Sequence, residues 1–544
     1  MTPQAVATPG RAPLLKRLLG RGKRPLRLTA VPRDHVQGDR ARGDQILAGK
    51  LVRGAEVLDL TEINFREVGT TGPLAQEAQA FAWLRDLAGT ASRERGARVA
   101  EAVAARWLVA HGNKVDTAWA PALWGERLLF WAAYAPYVLS SHDAAYRAAL
   151  LNTMARGVRH LGATADRADP GLQRITAWAG LTAGSLLLQG QVSRVARAEA
   201  GLTRALATGQ ADDGGLLSRS PAEQALLVDR LGLLRAAYHA AKQTLPEALE
   251  GAATAALAAL HGVMLGDGGL GSWQGGNPGD SLRLAALVEG CGMRARPLRQ
   301  ARGWGYQRLD ALGTVLVMDA APPAPTRITR LGSASTLAFE LSDGAQRLVV
   351  NCGGPGLLPT GITAELAQAL RTSAAHSTLT LGDKNSTAIL PNGNLGRGVE
   401  DVTVDRRDDD EFNRLEAAHD GYVRGFGLVH SRGVMLANDG KEVRGADRLL
   451  PSGRRRIRDA VSFSLRFHLG PGVEAVATAD GMGAILRSPG APPWNFRCRG
   501  ARLEVEESVW VDGQGRLTGT LQLAIAGEAT AQGIDLGWQF RRSS

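Results

Sequence analysis

The sequence predicts an α+β chain in which an array of helical hairpins precedes an antiparallel β-sandwich. Three observations carry that prediction. Apolar residues recur every three or four positions from about Leu51 to Val288, the spacing of one helix face. After about Ala311 they recur every second position, the spacing of one strand face. Near the change of period, within Trp304–Pro325, the run Ala321-Pro322-Pro323-Ala324-Pro325 reads as a stiff connector. The division that follows is a basic, flexible arm over 1–45, a helical domain over 46–315 and a sandwich over 316–544.

In the helical part Val99, Val103 and Trp107 form one stripe, and Tyr146, Leu150, Met154, Val158 and Leu161 another. A third stripe of Leu227, Leu231 and Leu234 follows Ser220-Pro221, a side chain suited to capping and a proline suited to the first helical position. Asp213-Gly214-Gly215-Leu216 and Asp267-Gly268-Gly269-Leu270 repeat one hairpin apart, which predicts equivalent loops on the same rim. In the second half Val461, Phe463, Leu465, Phe467 and Leu469 alternate with Ser462, Ser464, Arg466 and His468. Asp439-Gly440, Asp480-Gly481 and Asp512-Gly513 punctuate such runs as tight turns.

Composition narrows the function classes. With 544 residues, two or more cores are expected, and 44% hydrophobic against 22% charged residues excludes wholesale disorder. No apolar run approaches the roughly 20 residues of a membrane-spanning helix. Three cysteines are too few and too scattered for a disulfide framework. A net charge of +11 favours acidic partners, or reflects arginine-rich coding without a partner. Lys16, Arg17, Arg21, Lys23, Arg24 and Arg27 concentrate part of it in the arm, where membrane-surface contact is the alternative to a free tail. Aromatic content of 5% without a basic–aromatic motif argues against specific nucleic-acid binding. No cleavable signal is visible, which points to the cytoplasm, and GxSxG, HExxH and dinucleotide-binding patterns are absent. The oligomeric state is not legible.

Four stretches carry a resemblance to a known family. They are Ala375-His376-Ser377-Thr378-Leu379 with Asn385-Ser386, and His419-Asp420-Gly421-Tyr422 with His430 and Arg432. Arg466-Phe467-His468-Leu469-Gly470-Pro471, and Asp213-Gly214-Gly215 leading to Arg219-Ser220-Pro221, complete the set. Together with the order of the domains they resemble the heparinase II/III-like polysaccharide lyases. The resemblance implies an incomplete (α/α) toroid stacked on the sandwich, with an active site in the cleft between them. It also implies β-elimination on an acidic, uronate-containing polysaccharide such as a glycosaminoglycan, in a periplasmic or envelope location. No cofactor is required, although some members carry a structural zinc.

Within that frame His376 and Tyr422 are the proton-transfer candidates and Arg174 the group that would neutralise a uronate carboxylate. Arg219, Trp273, Asn277, His419 and Arg424 are candidates for substrate contact, and Arg127 is a further toroid cation. His376 and His468 would be the first two zinc ligands. Each has a plain structural alternative: a hydrogen-bonded core histidine, a tyrosine packed at the sandwich edge, a surface arginine. The sequence also departs from the family. Arg174-Ile175 stand where an Asn-His pair is usual, Leu216 where histidine often follows the paired glycines, and Ala374 where a first sandwich histidine belongs. No counterpart of a catalytic toroid tyrosine is evident. Those departures open a second reading, a catalytically altered glycan-binding relative.

Overall fold

The computed structural model describes residues 26–543 apart from 55, 355, 357–361 and 454–458. Helices occupy the chain as far as Gly290, with a small hairpin of β1 (Lys50–Arg53) and β2 (Glu56–Asp59) near the start. The basic residues Lys16, Arg17, Arg21, Lys23 and Arg24 lie outside the described residues. The second half of the expected arm is folded. Leu28 bridges Leu188, Asp34 accepts from both Arg85 (2.7 Å) and Tyr134 (2.8 Å), and Asp39 caps the helix Arg40–Leu47. The contacts of Leu28 and Asp34 are long-range, so local composition could not announce them.

The helix Leu172–Leu187 packs against Pro121–Ala133 on one side and Pro221–Ala240 on the other. Two glycines permit the first contact: a Cβ on Gly180 would lie 2.2 Å from the carbonyl oxygen of Gly125. Ser220 caps Pro221–Ala240 by accepting from Glu223 N, with Pro221 at the first turn. The two Asp-Gly-Gly-Leu loops adopt the same form, with Gly214 and Gly268 in left-handed conformation and bridges Gln210–Leu216 and Met264–Leu270. Both lie on the rim that meets the strands. Asp213 accepts from the amides of Gly303 and Trp304, and Asp267 pairs with Arg347 at 2.7 Å.

Two antiparallel sheets follow. The sheet nearer the helices runs β16 (Leu503–Val511), β17 (Leu517–Ala529), β12 (Val461–Leu469), β6 (Gln346–Val350), β5 (Phe339–Asp343), β4 (Thr314–Asp319), β3 (Tyr306–Ala311), with β7 (Leu379–Leu381) also paired to β12. The far sheet runs β13 (Glu474–Ala477), β14 (Gly483–Arg487), β15 (Trp494–Arg499), β18 (Ile534–Arg542), β11 (Glu442–Pro451), β10 (Leu428–Ala437), β9 (Phe412–His419), β8 (Val402–Asp408). Alternation divides the near sheet cleanly. Leu316, Met318, Phe339 and Leu341 enter the core between the sheets, whereas Val315 and Val317 join the helical core. At β4 and β5 the near sheet is therefore buried on both faces. This is a toroid-on-sandwich architecture.

Candidate functional site

The seam between helices and near sheet is built from charged residues that face each other. Arg219 stands in left-handed backbone, where Tyr306 Oη donates to its carbonyl at 2.7 Å. Its guanidinium pairs with Asp319 at 2.5 Å, donates to the carbonyls of Trp304 (2.8 Å) and Pro322 (2.9 Å), and lies over the Tyr306 ring. Asp319 also accepts from Ser335 Oγ (2.6 Å) and Gln274 Nε2 (3.4 Å). Nearby, Glu340 accepts from the amides of Ser272 and Asn351 and pairs with Arg347, which also holds Asp267. Burial pushes the Glu340 carboxyl up, against the pull of Arg347. Arg219 is raised, since Asp319 and Tyr306 outweigh its desolvation.

The expected cleft residues lie inside this seam or beside it. Trp273 is fully buried, its ring 5.1 Å from Tyr306, and Asn277 is buried with Oδ1 accepting from Gly279 N. His376 is 1% exposed, and its Nδ1 donates to the Thr372 carbonyl at 2.7 Å. Burial lowers its pKa, partly offset by that carbonyl and by Asp319. It lies between a short 3-10 turn, Ser373–Ala375, and the strand β7. Arg174 sits apart in the first turn of Leu172–Leu187, partly exposed, bound to the Ala168 carbonyl. Arg127 is fully buried against Trp107 (4.2 Å) and Trp124 (4.8 Å), donates to Gln79 and Ala118 carbonyls, and is pushed down to about 9 by desolvation.

A second group is inside the sandwich. Tyr422 belongs to the core between the sheets, its Oη donating to the Leu379 carbonyl at 2.9 Å, and burial raises its pKa. It precedes a short helical turn, Val423–Phe426, within which Arg424 is exposed. His419 Nδ1 accepts from Gly421 N, and its Nε2 meets His430 Nδ1 at 3.2 Å. His430 Nε2 reaches Asp447 at 2.7 Å, and Asp447 also takes Arg432 (2.9 Å) and Trp538 Nε1 (2.8 Å). Arg432 then donates to Leu337 and Ser377 carbonyls on the opposite sheet side. The motif is a buried polar pillar between the sheets.

For zinc, His468 uses Nδ1 on Ser508 (2.8 Å) and Nε2 on the Ala374 carbonyl (3.0 Å). Among the described residues no group of three His, Cys, Asp or Glu side chains is placed to hold a metal. His376 and His468 thus do not fit the tetrahedral set a zinc site needs. Sequence pattern did not single out Asp319, Glu340, Arg347 or Asp447. A carboxylate inside an apolar run, as in Phe339-Glu340-Leu341, was the available signal for a buried pair.

Residues 293–539 match the model of the heparinase II/III-like C-terminal domain. The chain is 30% identical over 519 residues to FtsZ-localized protein C of Caulobacter vibrioides, covering 92% of this chain and 88% of that protein. A crystal structure of heparinase III superposes with a TM-score of 0.70 at 12% identity, over 97% of this chain and 88% of that one. Heparan sulfate lyase HepC from Pedobacter heparinus gives a TM-score of 0.59 at 14% identity, over 93% and 83%.

Proposed function

The chain belongs to the heparinase II/III-like family, and from that premise we propose that it keeps the lyase scaffold but works by binding, as a non-eliminating member associated with FtsZ. One observation carries the reading. Where the family's chemistry would lie, Arg219, Gln274, Asp319 and His376 are all buried, and Arg219 and Gln274 bind Asp319 from across the seam, so the seam acts as a joint. β-Elimination needs a base with access to a substrate proton and a donor facing the substrate carboxylate. The buried guanidinium of Arg219 is already committed to Asp319. The relative's name supports a place alongside FtsZ.

Incubation with a panel of uronate polysaccharides should give no rise in the ultraviolet absorbance of unsaturated ends. A fluorescent fusion should co-localise with FtsZ in dividing cells. The rival reading is a uronate-polysaccharide lyase using His376, Tyr422 and Arg174, supported by the family membership and the order of the resembling motifs along this chain. Appearance of unsaturated ends, lost in His376→Ala, would establish that rival and overturn the proposal.

A further inference from the structure

The outer face of the far sheet, opposite the seam, carries an open groove of about 720 Å³. Its floor is a row of small residues in register: Gly433 on β10 faces Ala446 on β11, which faces Gly537 on β18. A Cβ at Gly433 would meet nothing within 4 Å. Beside this floor runs a second row in which Arg414 faces Met435, Met435 faces Arg444, Arg444 faces Gln539, and Gln539 faces Arg497. Arginines therefore occur on every second strand.

The geometry points to a binding site for an acidic peptide segment lying across the strands in an extended, polyproline-like conformation. Strands are about 4.8 Å apart, so the arginines repeat about every 10 Å. A polyproline helix has three residues per turn and rises about 3.1 Å per residue, which returns a side chain to the same face about every 9.3 Å. Carboxylates at every third residue would meet successive guanidiniums, whose planar forks suit them.

The present partners of these arginines leave them available. Arg414 pairs with Asp409 (2.9 Å), Arg497 with Asp480 (2.9 Å) and Arg444 with Glu442. Arg448, on the other wall, pairs with Asp535 (3.0 Å) and Glu416 (3.7 Å). The arginine side chains are 40–53% exposed, and exposed pairs of this kind hold weakly. Arg444 and Arg448 donate to Glu442 and Asp535 through Nε. Phe412 supports two of the guanidiniums, which lie 5.7 Å (Arg414) and 5.5 Å (Arg444) from its centroid. That ring is thus covered, and Trp538, the aromatic residue lining the groove, is 4% exposed. With no free ring to stack on a sugar, and with adaptable Met435 in the row, the site suits a peptide better than a glycan.

Fluorescence anisotropy with a labelled Glu-Pro-Pro repeat peptide tests this on the full chain. The peptide should bind, a Lys-Pro-Pro repeat should not, and added salt should weaken binding. Arg414→Glu with Arg444→Glu should weaken it at least tenfold. Gly433→Trp, which fills the groove without removing charge, should do the same, while Arg98→Glu on a distant exposed helix should not. Circular dichroism melts establish that each variant is folded. Failure of the acidic peptide to bind, or unchanged binding in the folded Gly433→Trp variant, overturns the proposal. So does a heparin oligosaccharide that binds instead and is lost in these same variants. None of these readouts depends on whether the seam is catalytic.

Discussion

At the scale of single residues, Arg219 is a side chain whose loss the seam would feel directly, because its buried guanidinium pairs with Asp319. Removing one member of a buried ion pair leaves the other charged and unsolvated, at a cost of about 3–5 kcal/mol. Arg219→Ala should therefore lower stability by roughly that amount in urea titrations. Arg219→Met combined with Asp319→Leu should recover part of the loss, because no orphan charge remains. The buried histidines set the acid response. His468 is held down to about 3 by burial, and His376, His419 and His430 are also lowered. Below the unfolded histidine value of about 6.5 the unfolded chain takes up protons that the folded one refuses, so stability falls as pH falls. The contribution of His468 is complete above about pH 6.5 and is lost progressively down to about pH 3. Stability measured by urea unfolding between pH 7 and pH 4 should decline, and His468→Gln should make the decline shallower by up to about 1.4 kcal/mol per pH unit.

At the scale of elements, glycines on helices make opposite predictions according to what surrounds them. Gly180 touches the backbone of the neighbouring helix at Gly125, so Gly180→Ala should destabilise by about 1–3 kcal/mol through overpacking. Gly251 lies exposed inside Glu247–Gly262 with nothing near its absent Cβ, so Gly251→Ala should stabilise by about 0.5–1 kcal/mol. Thermal melts of the two variants should move in opposite directions. The same contrast explains what the sequence could reveal. Stripes such as Tyr146-Leu150-Met154 and Phe463-Leu465-Phe467 report which face is apolar, and burial follows from that face alone. The roles of His376, Tyr422 and His419 depend on residues far along the chain: the far-sheet pillar reaches Asp447 and Trp538 from His430. Local pattern marks such positions as unusual without saying whether a ligand or another side chain faces them.

At the scale of the whole molecule, the two bodies should melt as one. Their shared surface includes apolar contacts of Val315 and Val317 with the helical core and two buried charge networks, centred on Asp319 and Glu340. Domains joined so tightly lose much of their stability when either opens, which couples the transitions. Eight of the 11 tryptophans precede Tyr306, so tryptophan fluorescence follows mainly the toroid, while the strand signal in far-ultraviolet circular dichroism follows the sandwich. In the natural chain the two signals should give the same midpoint. Arg219→Ala combined with Glu340→Gln weakens both networks without altering either core, and should pull the midpoints several degrees apart. Two midpoints already present in the natural chain would mean that the charged seam does not join the bodies. On the proposed reading, the same charge networks give the scaffold a use that does not depend on elimination chemistry. The seam side chains close the joint, and parting it would strip Arg219 from Asp319 and Asp267 from Arg347.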